Sequence, residues 1–419
     1  MEKKSLCLYF EVHQPLRLRK YQFFDIGKKH DYYDDFANRN NIRKLASRCY
    51  LPTNSVLLNL IREYGNNFKV SFSISGSALD LFKQYAPEVI ESFQELANTG
   101  CVEFLTETSA HSLASLTNET EFKAQVKEHS EQIKKLFGQT PVTFRNTELI
   151  YSDEIGDMVA KMGYTTMLTE GAKHILGWKS PNFIYTNAIN SKLKLLLNNF
   201  SLSDDIAFRF SNSSWDQWPL TAEKYTQWLL ESVKDSDVVN LFMNYDTFGR
   251  KNSESSGIFQ FLENLPRAVF STSALEFLTP KEVVKKHLPV APLFVPFPIS
   301  WSDEERDVTA WLGNELQEEA FEELYKLSDK VSKLKDEILS YDFRALQCSD
   351  NLYYMKTKLF AGVARKYETP YASPYEAFIN YMNVLSDFID RVEIEWEAKL
   401  SQKKEVKKAA PKSAARAKK

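Results

Sequence analysis

The chain has 419 residues, 43% hydrophobic and 26% charged, with a net charge of −3, enough apolar content to bury one large core or one core with an appended module. Residues 403–419 hold seven Lys and one Arg against one Glu, a charge of +7 that leaves −10 on residues 1–402. No apolar run approaches the roughly eighteen residues of a membrane span, and Cys7, Cys49, Cys101 and Cys348 lie too far apart for a zinc ribbon or a small disulfide framework.

In chain order, the first apolar run after MEKK is interrupted by Glu11 and His13 and lacks the small-residue cleavage site of a secretory leader, so it reads as a first β-strand, 6–11. Further short strands are predicted at 69–75, 102–107, 142–147, 165–169 and 238–243, with a looser one near Phe270. Between several of them lie helical runs, 77–99 and 118–137, where apolar residues recur at three and four positions. Strand and helix in alternation predict a parallel sheet with crossover helices, and this many strands suit a TIM-like βα barrel better than an open sheet. After about residue 298 the pattern turns helical: Ala320, Leu324, Leu327, Val331, Leu334 and Ile338 share one face, and 374–396 repeats the style. The expected organisation is a barrel domain over 1–298, a helical domain over 299–402 whose helices pack on each other or on the barrel, and a disordered basic tail over 403–419. The tail reads as a solvated segment rather than a nucleic-acid contact, and the whole as a cytoplasmic protein with buried thiols.

A barrel places its chemistry at the strand ends. His13 ends the first strand. Glu103 and Glu107 share a face of the third strand by period two, with His111 beyond them. In TFRNTELIY, Arg145 and Glu148 stand in an apolar stretch, where a carboxylate costs free energy unless it is paired or used. Arg145 is either the structural partner of Glu148 or part of the chemistry. Asp204 and Asp205 add two acids. His13, His111 and His174 form no close-spaced ligand set and HExxH is absent, so neither a metal nor another cofactor is expected.

Eight blocks in order resemble glycoside hydrolase family 57, in its α-amylase branch: VHQP at 12–15, GCVEFLTETSAHSLA at 100–114, FRNTELIY at 144–151, EGAKHILGWKSPN at 170–182, LSDDIAFRFS at 202–211, NLFMNYDTFG at 240–249, WSDEERDVTAWLGN at 301–314 and SDNLYYMKTK at 349–358. The resemblance implies an incomplete, seven-stranded (β/α) barrel followed by a helical region, and retaining chemistry on α-1,4-glucan or maltodextrin. That chemistry uses a carboxylate nucleophile and an acid/base carboxyl roughly 5–5.5 Å away. The family's nucleophile falls on Glu148. Its acid/base Asp falls on Asn244, and the Glu two places on falls on Asp246, a candidate substitute acid. An Asn hydrogen-bonds a leaving oxygen but gives it no proton at neutral pH. By the same resemblance His13, Glu103, His111, Asp205 and Asp350 become candidate substrate contacts, with Trp178, Trp215, Trp218 and Trp301 as candidate stacking faces. Two functions follow: an α-glucan glycosidase with impaired hydrolysis, or a non-catalytic α-glucan binder or sensor.

Overall fold

The computed structural model describes residues 3–358 and 369–409, with side chains as far as residue 402. Among the described residues ten strands form: β1 Lys4–Val12, β2 Val70–Ile74, β3 Val102–Phe104, β4 Thr143–Arg145, β5 Thr166–Glu170, β6 Tyr185–Asn187, β7 Lys194–Asn198, β8 Val238–Asn244, β9 Leu275–Phe277 and β10 Ala291–Leu293. One sheet runs β3-β2-β1-β8, with β9 added beside β1, and the other runs β10-β6-β7-β5-β4. Every pairing is parallel except that of β6 with β7.

The two sheets are stitched into a ring. On one side Thr106, just past β3, exchanges backbone hydrogen bonds with Thr143 (3.2 Å) and Arg145 (2.9 Å) of β4. On the other, Asn199 N donates to Asn240 O at 2.9 Å, and Asn240 Nδ2 donates to Leu197 O at 3.0 Å. The ring therefore reads β1-β2-β3-β4-β5-β7-β8, an incomplete parallel barrel whose closure between β7 and β8 rests on few ladder bonds.

Period two divides each strand between the outer cores and the barrel lumen. Leu6, Leu8, Phe10 and Val12 of β1 point outward into one large core, whereas Cys7 and Tyr9 point inward. Inside, Cys7, Tyr9, Leu105, Leu168, Leu196 and Phe242 make a compact apolar plug. Above it, toward the C-terminal strand ends, the inward positions become polar.

Some expectations are corrected. The run 77–99 is two helices, Gly76–Tyr85 and Pro87–Asn98, because Pro87 has no N–H to continue the first. Phe270 belongs to the helix Ile258–Thr272, whose buried Ile258, Phe261, Leu262, Leu265 and Val269 keep helical spacing, and the strand follows at β9. The run 320–338 spreads over Glu315–Tyr325, Ser328–Leu334 and Glu337–Leu346, with Lys335 left-handed (φ 59°) at one break. The tail expected to lack structure from Lys403 begins inside the helix Pro374–Ala409, where Lys, Glu and Ala continue the helical backbone. Its remainder, 410–419, lies outside the described residues.

Candidate active site

The mouth of the barrel gathers charge. Arg145, at the end of β4, is almost fully buried, with Nη2 2.8 Å from Glu11 Oε1 and Nη1 3.7 Å from Glu107 Oε2. The His111 ring lies between carboxylates: Nδ1 is 3.4 Å from Glu107 Oε1, while Nε2 is 3.4 Å from Glu148 Oε1 and 3.7 Å from Glu11 Oε1. Burial alone would lower the His111 pKa, but hydrogen bonds and charge from Glu107 and Glu148 outweigh it and carry the ring up to about 10. Burial likewise pushes Glu107 upward, and the His111 and Arg145 charges reverse it, holding that carboxyl at about 2. Glu148 follows the same pattern: against burial, the His111 hydrogen bond and charge, and then Arg145, keep it below its ordinary value.

Glu148 is aimed by its backbone. The turn Thr147–Leu149 puts Glu148 at φ 57°, ψ 26°, and Leu149 at φ 55°, two consecutive non-glycine residues in the left-handed region. Such conformations cost about 1–3 kcal/mol each and persist where surrounding structure enforces them, commonly at functional sites. The carboxylate meets protein donors on both oxygens: the Trp301 indole N–H donates to Oε2, and Ser349 Oγ donates to Oε1 at 3.4 Å. His13 stacks on His111, with ring centres 3.7 Å apart, and reaches Asp350 Oδ2 with Nε2 at 2.8 Å. Asp350 is buried; burial raises its carboxyl, but the His13 charge prevails and lowers it.

Asn244 ends β8 in register with Glu11, so the amide stands beside that carboxylate at the strand ends. Asp246 follows in the Tyr245–Thr247 turn, its Oδ2 3.1 Å from Arg250 Nη1 and its Oδ1 3.4 Å from Lys251 Nζ. Both of its oxygens are turned to cations of its own loop.

These residues surround an open cavity of about 200 Å³, whose wall includes Glu11, His13, Asn244, Asp246, Trp301 and Asp350. Glu148 and His111 stand just behind that wall, Glu148 screened by Trp301. Other expected contacts fall elsewhere. Glu103 shares the inner face with Glu107 but sits at the N-terminal end of the barrel, bonded to Thr143 Oγ1 (2.6 Å) and Lys281 N (3.0 Å). Asp205 turns to Arg209, while its neighbour Asp204 lines the cavity. Trp178 is 93% exposed and off the site, Trp215 packs edge-on against Trp228, and Trp218 borders a separate surface depression. Besides the expected Trp301, the aromatic residues lining the cavity are Tyr9, Phe200, Phe208, Phe242 and Tyr354, with Arg306 lying 4.5 Å over the Phe200 ring and Glu170 and Asn198 nearby. Phe208 lies in a block singled out by sequence, but only its neighbouring acids carried a chemical signal.

A parallel-strand barrel with carboxylates at its C-terminal mouth and helices beside it is an architecture that can place the two carboxyl groups glycoside cleavage uses. The family model described as glycosyl hydrolase family 57 matches residues 7–296, and the chain belongs to that family. A Methanocaldococcus jannaschii protein, provisionally described as an alpha-amylase, is 40% identical over 397 residues, 90% of this chain and 83% of that one. The fold is shared with an α-amylase from Thermotoga maritima (TM-score 0.63, 13% identity, 96% of this chain and 94% of that one). It is shared too with a 4-α-glucanotransferase from Thermococcus litoralis (TM-score 0.61, 14% identity, 84% of this chain), of whose length the chain spans 56%.

Proposed function

We propose that the protein is an α-amylase-type glycosidase that binds α-1,4-glucan or maltodextrin at the barrel mouth and is impaired in hydrolysis because Asn244 stands where a proton donor is needed. The observation that carries this reading is that a strained Glu148, held below its ordinary pKa, follows the end of β4 while an amide, Asn244, ends β8 and Asp246 is engaged by Arg250 and Lys251. In a retaining reaction Glu148 attacks the anomeric carbon and the leaving oxygen needs a proton. Asn244 donates a hydrogen bond to that oxygen but leaves the proton unsupplied. Phe200 and Phe208 offer apolar faces for sugar rings.

One observation favours the second reading, binding without turnover: both Glu148 oxygens already accept hydrogen bonds from Trp301 and Ser349. Activated substrates separate the two. Maltosyl fluoride, whose leaving group needs no proton, is expected to be cleaved by the wild type, and Asn244→Asp is expected to raise maltodextrin hydrolysis by about 10²–10⁴-fold. Retained maltodextrin binding with no cleavage of either substrate, in wild type or variant, establishes the binder. Absence of both binding and cleavage overturns the glucan reading.

A further inference from the structure

We propose that His13, Cys348 and Asp350 form a binding site for a thiophilic divalent transition-metal ion of the zinc type, with a fourth position open to the cavity. Their ligand atoms all lie within 4.8 Å of one another. His13 Nε2 is 2.8 Å from Asp350 Oδ2, Cys348 Sγ is 3.3 Å from the same oxygen, and Sγ is 4.0 Å from Nε2. A tetrahedral zinc ion with bonds of about 2.0–2.3 Å spaces its ligands by roughly 3.3–3.7 Å, so shifts well under about 1 Å convert this triangle into a coordination face. One nitrogen, one sulfur and one oxygen suit zinc and cobalt and disfavour magnesium and calcium, which prefer oxygen alone.

Two further features point to a cation there. The first is the partner behind the histidine. Ser75 Oγ accepts a hydrogen bond from Ala78 N–H and lies 2.7 Å from His13 Nδ1. When Nδ1–H donates to Ser75, Nε2 offers its lone pair on the side of Asp350 Oδ2, and a cation between the two satisfies both. Metal-bound histidines are held in this way, by a donor bond from the nitrogen that faces away from the metal. The second is the local composition: Glu11, Glu107 and Glu148 lie round Arg145 and His111, with Asp350 behind the stacked His13, four carboxyl groups beside one guanidinium and one further imidazole. His13 and Asp350 line the cavity, which supplies a path for the ion. The set is invisible to spacing rules because His13 lies 335 residues before Cys348.

The site shares His13 and Asp350 with the cavity of the glucan reading, but its test needs no sugar. Full-length protein is stripped with a chelator and titrated without oxygen with Co²⁺ alone, then with Zn²⁺ alone. One equivalent of Co²⁺ is expected to bind with a thiolate-to-metal absorption band in the near ultraviolet, and Zn²⁺ is expected to displace it. Cys348→Ser should abolish that band, and Ser75→Ala should weaken binding about 10–100-fold. X-ray absorption at the zinc edge of the wild type should find one sulfur among nitrogen and oxygen ligands, a measurement that holds even if a variant fails to fold. No stoichiometric binding, a band that survives in Cys348→Ser, or a zinc shell without sulfur would each overturn the site.

Discussion

His111 is inaccessible to solvent, yet the carboxylates around it keep it charged. Its pKa rises from an ordinary 6.5 to about 10, so the stability it contributes is complete below about pH 6.5 and is lost as the pH climbs toward 10. Glu107 moves the other way, from 4.5 to about 2, and its contribution is complete above about pH 4.5 and lost as the pH falls toward 2. Thermal melts of wild type and His111→Asn should therefore differ most near pH 6 and converge as the pH approaches 10. Curves that stay parallel over that alkaline range would show that His111 carries no charge in the folded state. At this scale the sequence offers Glu148, Asn244 and Asp350 as candidates from three separate blocks, and the fold places Asn244 and Asp350 in one cavity wall with Glu148 behind it. Glu11 was not legible, because an acid closing an apolar first strand looks like an ordinary strand end until β8 brings Asn244 beside it. Phe200 and Arg306 were equally silent, since a stacking face depends on where a loop folds back.

Strands rich in alternating or continuous apolar residues were legible as elements, which is why β1, β2, β5 and β8 lie where the pattern places them. The antiparallel excursion of β6 was not, because residues 185–198 mix Asn, Lys and Leu without a clear period and the pairing is fixed by tertiary contact. The element that carries Asn244 and Asp246 depends on Gly249. There φ is +93°, and a Cβ would lie 1.9 Å from the backbone oxygen of Arg48. Gly249 therefore allows the loop to press against the helical segment Ala46–Tyr50. Gly249→Ala combines an unfavourable φ with a backbone clash and should cost more than about 1–3 kcal/mol in denaturant unfolding. A loss below about 0.5 kcal/mol would mean that the loop relaxes freely and does not hold Asn244 in place.

Across the whole molecule, the switch from mixed to helical pattern near residue 298 was legible, but the sharing of a core across it was not. Met167, Leu195 and Leu197 on the outer face of the second sheet belong to the same buried cluster as Val384, Leu385 and Phe388 of the terminal helix. The helices thus cover apolar barrel surface that would otherwise meet water. Asp387, fully buried on that helix, fixes the attachment by accepting from Gly27 N at 2.6 Å, His30 Nδ1 at 2.7 Å and the Tyr32 hydroxyl. Burial raises its carboxyl, yet the Tyr32 and His30 hydrogen bonds prevail and hold it below its ordinary 3.8, so this clasp is complete above about pH 4 and weakens as the pH falls further. Asp387→Ala strands three donors and should cost on the order of 3 kcal/mol. A fragment ending at residue 298 should fail to melt cooperatively, because the second sheet would then present one bare apolar face. Circular dichroism melts and limited proteolysis decide it. A 1–298 fragment with a sharp transition and a protease-resistant barrel would show that the helices merely cap a self-sufficient domain.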